Sequence, residues 1–341
     1  MSLRVAVVGA TGAVGRQMIR TLEQRSFPTE ELTLYASQRS VGMRLPYAGR
    51  EIEIRGLDEA PWDRIELALF SAGASVSSEL APKAAAAGTI VVDNSSAFRM
   101  APDVPLVVPE INPEALRRHR GIVANPNCTA IVALMAAAPL HWAAGLTSLV
   151  VSSYQSVSGA GQKGIRELLE QVEKLRGQED ELTHPDAAAL PWGDVFGKTI
   201  AYNVIPRGGA FEEDGWTTEE RKLVDETRKI LDLPDLPVAA TVVRVPVIAG
   251  HAVSAHMEFG RDFAPGDARE ALASFPGVRV MDDPGADVFP TPLDAAGRDE
   301  VLVGRIRRSG EKGLSLFAVG DNLRKGAALN AVQIAELLFP S

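Results

Sequence analysis

The sequence predicts an α/β protein of two domains, in which a parallel sheet at the N-terminus precedes a second domain of α+β type. Its 341 residues, 46% of them hydrophobic, are enough for about two hydrophobic cores. The chain opens with the near-continuous β-branched run Leu3–Val8, as expected of a strand buried on both faces of a parallel sheet. A glycine-rich turn and a helix follow at once, and the inner face of that helix carries Val14, Met18, Ile19 and Leu22.

Composition and charge exclude several classes of protein. A formal net charge of −9 without any Lys/Arg block argues against a nucleic-acid partner. One cysteine rules out an internal disulfide, and the five histidines are dispersed, so we expect no metal site. No segment reaches the roughly 18 apolar residues of a membrane span, and the N-terminus enters a strand without a leader. We therefore expect a cytoplasmic protein that does not bind membranes.

The first turn has the spacing of a dinucleotide-binding motif. The run Gly9–Gly15 reads G-x-x-G-x-x-G between a strand and a helix, where backbone N–H groups can approach a pyrophosphate. This predicts a Rossmann-type domain. The second strand, Leu32–Tyr35, is followed by Ser37, Arg39 and Ser40 instead of the acidic residue that binds the ribose of NAD. Hydroxyls and an arginine suit a 2′-phosphate, so NADP is the expected cofactor.

Further strand ends are expected at the same edge of the sheet. Strands are predicted at 51–55, 67–70 and 89–92, with an alanine-rich helix at 79–87. Ser71–Gly73 closes one of these strands and Asp93–Arg99 closes the next. Because ligands of doubly wound sheets lie beyond the carboxyl ends of the strands, these segments are expected to meet in one crevice.

The single cysteine lies between the predicted strand Gly121–Ala124 and the apolar helix Thr129–Ala138, which we expect Pro139 to end. Cys128 would then occupy the first helical turn, with either of two asparagines as N-cap, Asn125 or Asn127. The positive end of the helix dipole favours a thiolate, so the thiol is expected to ionise more easily than a free cysteine. The alternative is a small buried apolar residue, the role of most free cysteines.

The second domain is expected to begin with a strand at Leu149 that ends in another glycine-rich turn, closed by Gly161. The helix Lys163–Arg176 follows, with an apolar stripe that forms core or a subunit contact: Ile165, Leu168, Leu169, Val172 and Leu175. Residues 187–203 are expected to form a loop. Strands are predicted at 240–247, 250–259 and 314–319, and a closing helix carries Ala331, Ile334, Ala335 and Leu338 back to the first domain. The predicted domains are therefore 1–127 with 322–341, and 128–321.

One helix of this domain has a clear start signal. Thr217 and Glu220 form a capping box, and Glu219 and Lys222 share a face one turn apart. A solvated ion pair is the ordinary interpretation of those two charges.

These motifs together resemble aspartate-semialdehyde dehydrogenase, and the resemblance extends over essentially the whole chain. The matching segments, in order, are 9–15, 93–99, 108–112, 125–129, 154–161, 219–222, 244–247, 250–251 and 321–328. The resemblance implies that Cys128 is the nucleophile, Gln155 orients the acyl intermediate and His251 is the acid/base. Ala252 stands where the family often has a hydroxyl residue.

The resemblance also implies the binding sites. Arg244 would clamp the substrate carboxylate and Glu219 would contact its amino group, while Arg99, Lys222 and Asn94 would bind phosphate. The NADP contacts would be Gly9, Thr11, Gly12, Ala13, Val14, Ser37, Arg39, Ser40, Ser71, Ser158, Gly159 and Asn322.

The implied reaction is the reversible NADPH-dependent reductive dephosphorylation of L-aspartyl-4-phosphate to L-aspartate-4-semialdehyde. It proceeds through a cysteine thioester, in the biosynthesis of lysine, threonine, methionine and isoleucine. The implied partners are the small substrate and phosphate. The apolar stripe at 165–175 offers more hydrophobic surface than one small layer would bury, so we expect a homodimer or a homotetramer with the second domain as the interface. Two alternatives remain: N-acetyl-γ-glutamyl-phosphate reductase, and a non-catalytic NADP-binding paralogue.

Overall fold

The computed structural model of the protein describes residues 2–184, 186 and 190–340. Its strands form two sheets. The first sheet has the order β3-β4-β2-β1-β5-β6-β7 and is parallel except for β3. Its strands are β1 (Leu3–Val8), β2 (Thr29–Ala36), β3 (Arg44–Tyr47), β4 (Arg50–Gly56), β5 (Leu67–Phe70), β6 (Ile90–Asp93) and β7 (Ile122–Ala124). Because β1 lies between β2 and β5, the strand order reverses at its carboxyl end, where doubly wound sheets bind ligands.

Three helices pack on this sheet: α1 (Ala13–Gln24), α2 (Ala74–Ala86) and, from the C-terminus, α8 (Leu329–Leu338). Ala331, Val332 and Ile334 of α8 are fully buried in the same core as Val5 and Val7 of β1. The predicted return of the closing helix to the first domain is therefore confirmed.

The second sheet is mixed and has the order β11-β12-β13-β10-β8-β9. Its strands are β8 (Leu146–Gln155), β9 (Val238–Arg244), β10 (His251–Phe259), β11 (Val278–Val280), β12 (Val301–Arg308) and β13 (Gly313–Gly320). The helices of this part of the chain are α3 (Cys128–Ala144), α4 (Gln162–Leu175), α5 (Thr218–Leu231), α6 (Pro265–Ala273) and α7 (Pro292–Ala295). Helix α3 is buried almost throughout and packs against β8 and β10, which explains its lack of a polar face.

The prediction that Pro139 ends this helix is wrong. Helix α3 continues to Ala144, with Pro139 inside it. Proline removes one backbone hydrogen bond, but Leu140 and Ala144 beyond it are buried in the larger core. Burial of Leu140, worth about 1.5–3 kcal/mol, offsets much of the roughly 3 kcal/mol that a proline inside a helix costs.

Other boundaries also differ from the predictions. Helix α2 begins at Ala74 instead of Glu79, and β3, β11, β12, α6 and α7 were not predicted. Of the predicted loop 187–203, residues 187–189 lie outside the described residues, and 190–203 contain no helix or strand. No helix in the described part of the chain has the length and hydropathy to cross a bilayer.

The apolar stripe of α4 is mainly core. Leu168 and Leu175 are buried against Val157, Ile200 and Ile205, with Ile165 and Val172 packed beside them. Of the five apolar residues, Leu169 alone remains exposed, at 53%. Because the other four pack in this core, most of the stripe is not available to a second subunit.

Candidate active site

A cleft of about 630 Å³ lies beyond the carboxyl ends of the first sheet and is closed on its other side by the second. The residues that the sequence placed in the site and that line this cleft are Gly12, Ala13, Val14, Ser71, Asn94, Arg99, Cys128, Gln155, Ser158, Gly159, Glu219, Lys222, Arg244, His251 and Asn322. Gly9, Thr11, Ser37, Arg39 and Ser40 are not among the lining residues. The predicted catalytic and substrate-binding groups are thus all brought to one place.

The second sheet brings three of these groups to the same edge. Gln155 ends β8 opposite Arg244, which ends the parallel strand β9. His251 begins β10, which runs antiparallel to β8 and therefore starts where β8 finishes. Sheet register, which joins segments far apart in the sequence, makes these residues neighbours.

Cys128 begins α3, and Asn127 is its N-cap. The Asn127 side-chain oxygen accepts hydrogen bonds from the N–H groups of Thr129 at 2.9 Å and Ala130 at 3.4 Å. Asn125 instead donates to Asn94 at 2.6 Å. The structure therefore decides between the two predicted caps in favour of Asn127.

The prediction of an easily ionised thiol is wrong. Burial and the Glu219 carboxylate raise the pKa of Cys128 to about 11, against the opposing effects of Arg99, Arg244 and the Thr129 hydroxyl. Cys128 keeps partial exposure to the cleft, but protein atoms replace most of the water around its sulfur. Desolvation disfavours the thiolate more strongly than the start of α3 favours it.

We therefore expect alkylation of Cys128 by iodoacetamide to accelerate about tenfold per pH unit between pH 7 and pH 10, because the thiol binds its proton until pH approaches its raised pKa. A small-molecule thiol in the same buffers should level off near pH 9. The Cys128→Ala variant measures alkylation of residues other than cysteine, since the chain has one cysteine. A plateau for the protein below pH 9 would contradict the raised pKa.

The His251 ring is held by Ser156, which sequence analysis did not select. The Ser156 N–H donates to Nδ1 at 3.1 Å, and the Ser156 hydroxyl lies 3.0 Å from the same nitrogen. Since Nδ1 accepts, the neutral ring carries its proton on Nε2. This Nε2 is buried without a hydrogen-bond partner among the described residues. Burial, followed by Arg244, lowers the pKa of His251 well below its usual value.

Gly159 leaves room for both groups. A Cβ at this position would lie 2.9 Å from Arg244 Nη1 and 3.0 Å from His251 Nε2. Arg244 Nη1 donates to the Ser156 carbonyl at 2.8 Å, and its guanidinium carbon lies 5.5 Å from the centre of the Phe196 ring. Gln155 donates to the Thr129 hydroxyl at 2.8 Å, which fixes its amide beside Cys128.

The ion pair on α5 lines the cleft and is not merely solvated. Lys222 Nζ lies 2.5 Å from one Glu219 oxygen, and the other oxygen accepts from the Asn127 side chain at 2.8 Å. Burial raises the pKa of Glu219, but Lys222 and Asn127 together outweigh it and hold that pKa below its usual value. The predicted capping box at Thr217 and Glu220 begins this helix, and the pair lines the same cleft as Cys128.

Arg99 is held by three acceptors. Its Nε donates to the Asn125 carbonyl and its Nη2 to the Asn94 carbonyl, both at 2.9 Å, and its Nη1 lies 3.0 Å from Glu226. Glu226 was missed by sequence analysis. The available signal was its position seven residues after Glu219, on the same face of α5.

The start of α1 fits a pyrophosphate. Gly12 is its N-cap and offers no side-chain hydrogen bond, so the first N–H groups of α1 are unpaired by a cap. Gly9 has φ +85°, and a Cβ there would lie 2.4 Å from the Ser71 carbonyl oxygen.

Arg39 is exposed and has no hydrogen bond or ion pair with any described residue, while Ser40 is buried. The described residues contain no group of three or more His, Cys, Asp or Glu arranged to hold a metal.

Comparisons with known proteins agree with this geometry. A family model described as "Semialdehyde dehydrogenase, NAD binding domain" matches residues 4–119, and one described as "Semialdehyde dehydrogenase, dimerisation domain" matches residues 137–325. An aspartate-semialdehyde dehydrogenase of Aquifex aeolicus is 49% identical, covering 99% of this chain and 98% of its own. The chain belongs to the aspartate-semialdehyde dehydrogenase family. The Bacillus subtilis member is 46% identical, covering 98% of this chain and 97% of its own.

Solved structures of the family have the same fold. Aspartate semialdehyde dehydrogenase II from Vibrio cholerae matches with a TM-score of 0.93 and 44% identity, covering 99% of this chain and 98% of its own. A second structure of that enzyme, with the same TM-score and identity, is described as complexed with ASA. The predicted family, the α/β fold class and the oxidoreductase class with a nicotinamide dinucleotide-binding domain are therefore confirmed.

Proposed function

We propose that this chain catalyses the NADPH-dependent reductive dephosphorylation of L-aspartyl-4-phosphate to L-aspartate-4-semialdehyde, and the reverse reaction. The observation that carries the proposal is that one cleft holds both the Cys128 turn and the unpaired start of α1. Four cationic side chains line the same cleft: Arg99, Arg207, Lys222 and Arg244. These suit a substrate with two anionic ends, a carboxylate and a phosphate.

In the first half-reaction the Cys128 sulfur attacks the acyl phosphate carbonyl. A carbon–sulfur bond forms, the carbon–oxygen bond to phosphate breaks, and Arg99 and Lys222 stabilise the leaving phosphate. Cys128 must lose its proton for this attack. Burial is the main cause of the raised pKa of Cys128 and the Glu219 carboxylate is the second; a substrate ammonium bound by Glu219 would offset this second effect.

In the second half-reaction a hydride adds to the carbonyl carbon of the thioester on Cys128, and the carbon–sulfur bond then breaks to release the aldehyde and the free Cys128 side chain. Bound NADPH supplies the hydride, and we assign its site to Gly9, Thr11, Gly12, Ala13, Val14, Ser37, Arg39, Ser40, Ser71, Ser158, Gly159 and Asn322. His251 is the proposed acid/base. In the tautomer that Ser156 selects, its Nε2–H donates to the oxygen that becomes negative. Gln155, fixed by Thr129, orients the acyl group.

The choice of substrate depends on Glu219. An ionised carboxylate beside the cleft suits a free amino group, whereas an N-acetylated substrate would leave it without a cationic partner from the ligand. This favours the aspartate enzyme over N-acetyl-γ-glutamyl-phosphate reductase. The convergence of Cys128, Gln155 and His251 in the cleft also favours an active enzyme over a non-catalytic paralogue.

The direct test is NADP reduction by the purified protein with aspartate semialdehyde and phosphate, followed by NADPH absorbance. N-acetylglutamate semialdehyde is the competing substrate. We expect turnover with the first at least about 100-fold more efficient, because the acetylated substrate is longer and lacks the ammonium group that Glu219 would bind. A preference for the acetylated substrate would overturn the proposal, and no turnover with either would favour the paralogue.

We expect Arg39→Ala to weaken NADP binding about tenfold or more while changing NAD binding less than about twofold. The reason is that Arg39 is exposed, has no partner among the described residues and would lose only a contact to the 2′-phosphate. Arg44→Ala, on the exposed edge strand β3, is the matched control. Fluorescence titration with both cofactors measures the effect, and equal affinity of the parent for NADP and NAD would contradict it.

We also expect at least a homodimer formed by the second domain, and its sedimentation distinguishes a dimer from a tetramer. One face of the second sheet exposes Val150 and Tyr154, 48% and 37% accessible, beside the Phe317 ring. Sedimentation at micromolar concentration should show the dimer. Val150→Glu should dissociate it, whereas Leu169→Glu on α4 should not. A monomeric parent would contradict the expectation.

We assign two domains to the chain, one for the cofactor and one for catalysis and dimerisation. The cofactor domain comprises residues 1–127 and 322–341, supported by the confinement of the first sheet to residues 3–124. The catalytic and dimerisation domain comprises residues 128–321. We place the enzyme in the cytoplasm, where a catalytic thiol stays reduced.

A further inference from the structure

We propose that Glu226 is a positioning residue, which holds the Arg99 guanidinium and the backbone turn before Cys128 in a fixed relation to each other. This inference rests on the proposed function. Glu226 is fully buried on α5 and does not line the cleft, so it cannot touch a substrate there. One of its oxygens lies 3.0 Å from Arg99 Nη1, and the other accepts the Asn127 backbone N–H at 2.5 Å.

The contact with Arg99 sets the plane of the guanidinium. An arginine has five N–H donors, and three of those of Arg99 go to Asn125, Asn94 and Glu226. The Asn125 and Asn94 carbonyls follow β7 and β6, whereas Glu226 comes from the other half of the molecule. One N–H on each terminal nitrogen is left for a ligand, and Arg99 lines the cleft. Glu226 thus orients the two remaining terminal N–H groups of Arg99 toward the proposed phosphate position.

The contact with Asn127 acts on the nucleophile. Asn127 directly precedes Cys128 and caps α3 with its side-chain oxygen. Glu219 holds its side-chain nitrogen at 2.8 Å, while Glu226 holds its backbone nitrogen at 2.5 Å. Two carboxylates, two turns apart on α5, therefore both accept hydrogen bonds from Asn127, the residue before Cys128.

The burial of the Glu226–Arg99 ion pair costs free energy, which points to a role other than stability. Burial raises the pKa of Glu226, in spite of the opposing effects of Arg99 and the Asn127 N–H. Buried ion pairs are weak stabilisers, and apolar side chains of similar size often do as well for stability alone. A charged pair kept between the proposed phosphate site and the nucleophile is better explained by geometry, since small misplacement of reacting groups slows catalysis strongly.

Glu226→Gln is the first test, because glutamine cannot satisfy both neighbours. Its single oxygen can face either Arg99 or Asn127, and its NH₂ group then opposes a donor at the other contact. We expect the KM for phosphate to rise about 10- to 100-fold, with the KM for aspartate semialdehyde changed less than about twofold. Glu226→Asp keeps the charge with shorter reach and should recover part of the phosphate affinity.

Asp225→Asn is the matched control. It removes the same charge from the adjacent position of α5, where Asp225 has no hydrogen bond or ion pair with a described residue. We expect it to leave both Michaelis constants unchanged. Thermal unfolding of all variants identifies any general loss of structure, and Glu226→Asp provides the measurement if Glu226→Gln does not fold.

A double-mutant cycle separates positioning from a structural role. In an Arg99→Ala background, Glu226→Gln should add less than about twofold to the KM for phosphate, because its effect acts through Arg99. Protection of Cys128 from iodoacetamide by inorganic phosphate gives a readout without turnover. Half-protection should require more phosphate in Glu226→Gln than in Asp225→Asn. Equal effects in both backgrounds, or equal rises in both Michaelis constants, would overturn the inference, whereas an inactive parent would instead refute the proposed function.

Discussion

Replacement of Cys128 with alanine is expected to reduce turnover at least about 10⁴-fold while NADPH binding survives. Without the sulfur no thioester can form, and no other cysteine is present to replace it. The proposed cofactor contacts do not include Cys128, so the affinity for NADPH should change less than about twofold. Since the side chain is small and partly exposed, the free energy of unfolding should change by about 1 kcal/mol or less.

Steady-state kinetics in both directions and fluorescence titration with NADPH measure these two effects. Cys128→Ser is the conservative control, because it keeps a similar side chain but supplies a weaker nucleophile and a poorer leaving group. Its activity should also fall by orders of magnitude. Turnover retained by the alanine variant, or NADPH affinity lost with activity, would refute the role of Cys128.

Arg244→Lys is expected to slow both directions about 100-fold, although the positive charge is kept. The Arg244 guanidinium is oriented by the Ser156 carbonyl at 2.8 Å and by the Phe196 ring. A lysine cannot form the planar, two-bond contact with a carboxylate that this orientation allows. The substrate carbonyl would then be misplaced relative to Cys128 in either direction.

Lys222→Ala should have a different signature. We expect it to raise the KM for phosphate about tenfold and to leave the KM for aspartate semialdehyde within about twofold. Glu219 loses one partner in this variant but keeps its hydrogen bond from Asn127 at 2.8 Å, so the proposed amino-group contact stays in place. If Lys222→Ala affects only the semialdehyde and Arg244→Lys only phosphate, the two subsites have been assigned in reverse.

The sequence by itself determined the features that depend on neighbouring residues. The strand–glycine turn–helix at Gly9–Gly15, the position of Cys128 at a helix start and the capping box at Thr217 all follow from short-range preferences. The alternation and β-branching of the strands likewise predicted most of both sheets. These features need no knowledge of the rest of the fold.

Tertiary structure alone decided the ionisation of the site and the contacts that orient it. Glu226 and Arg99 are 127 residues apart, and Ser156 and His251 are 95 residues apart, so no local pattern shows that they meet. The raised pKa of Cys128 arises from burial and from Glu219, which reverses what the helix start alone would favour. Pro139 stays helical because its surroundings are buried. The physical reason is the same in each case: desolvation and long-range charge depend on which segments pack together, and packing is a property of the folded chain.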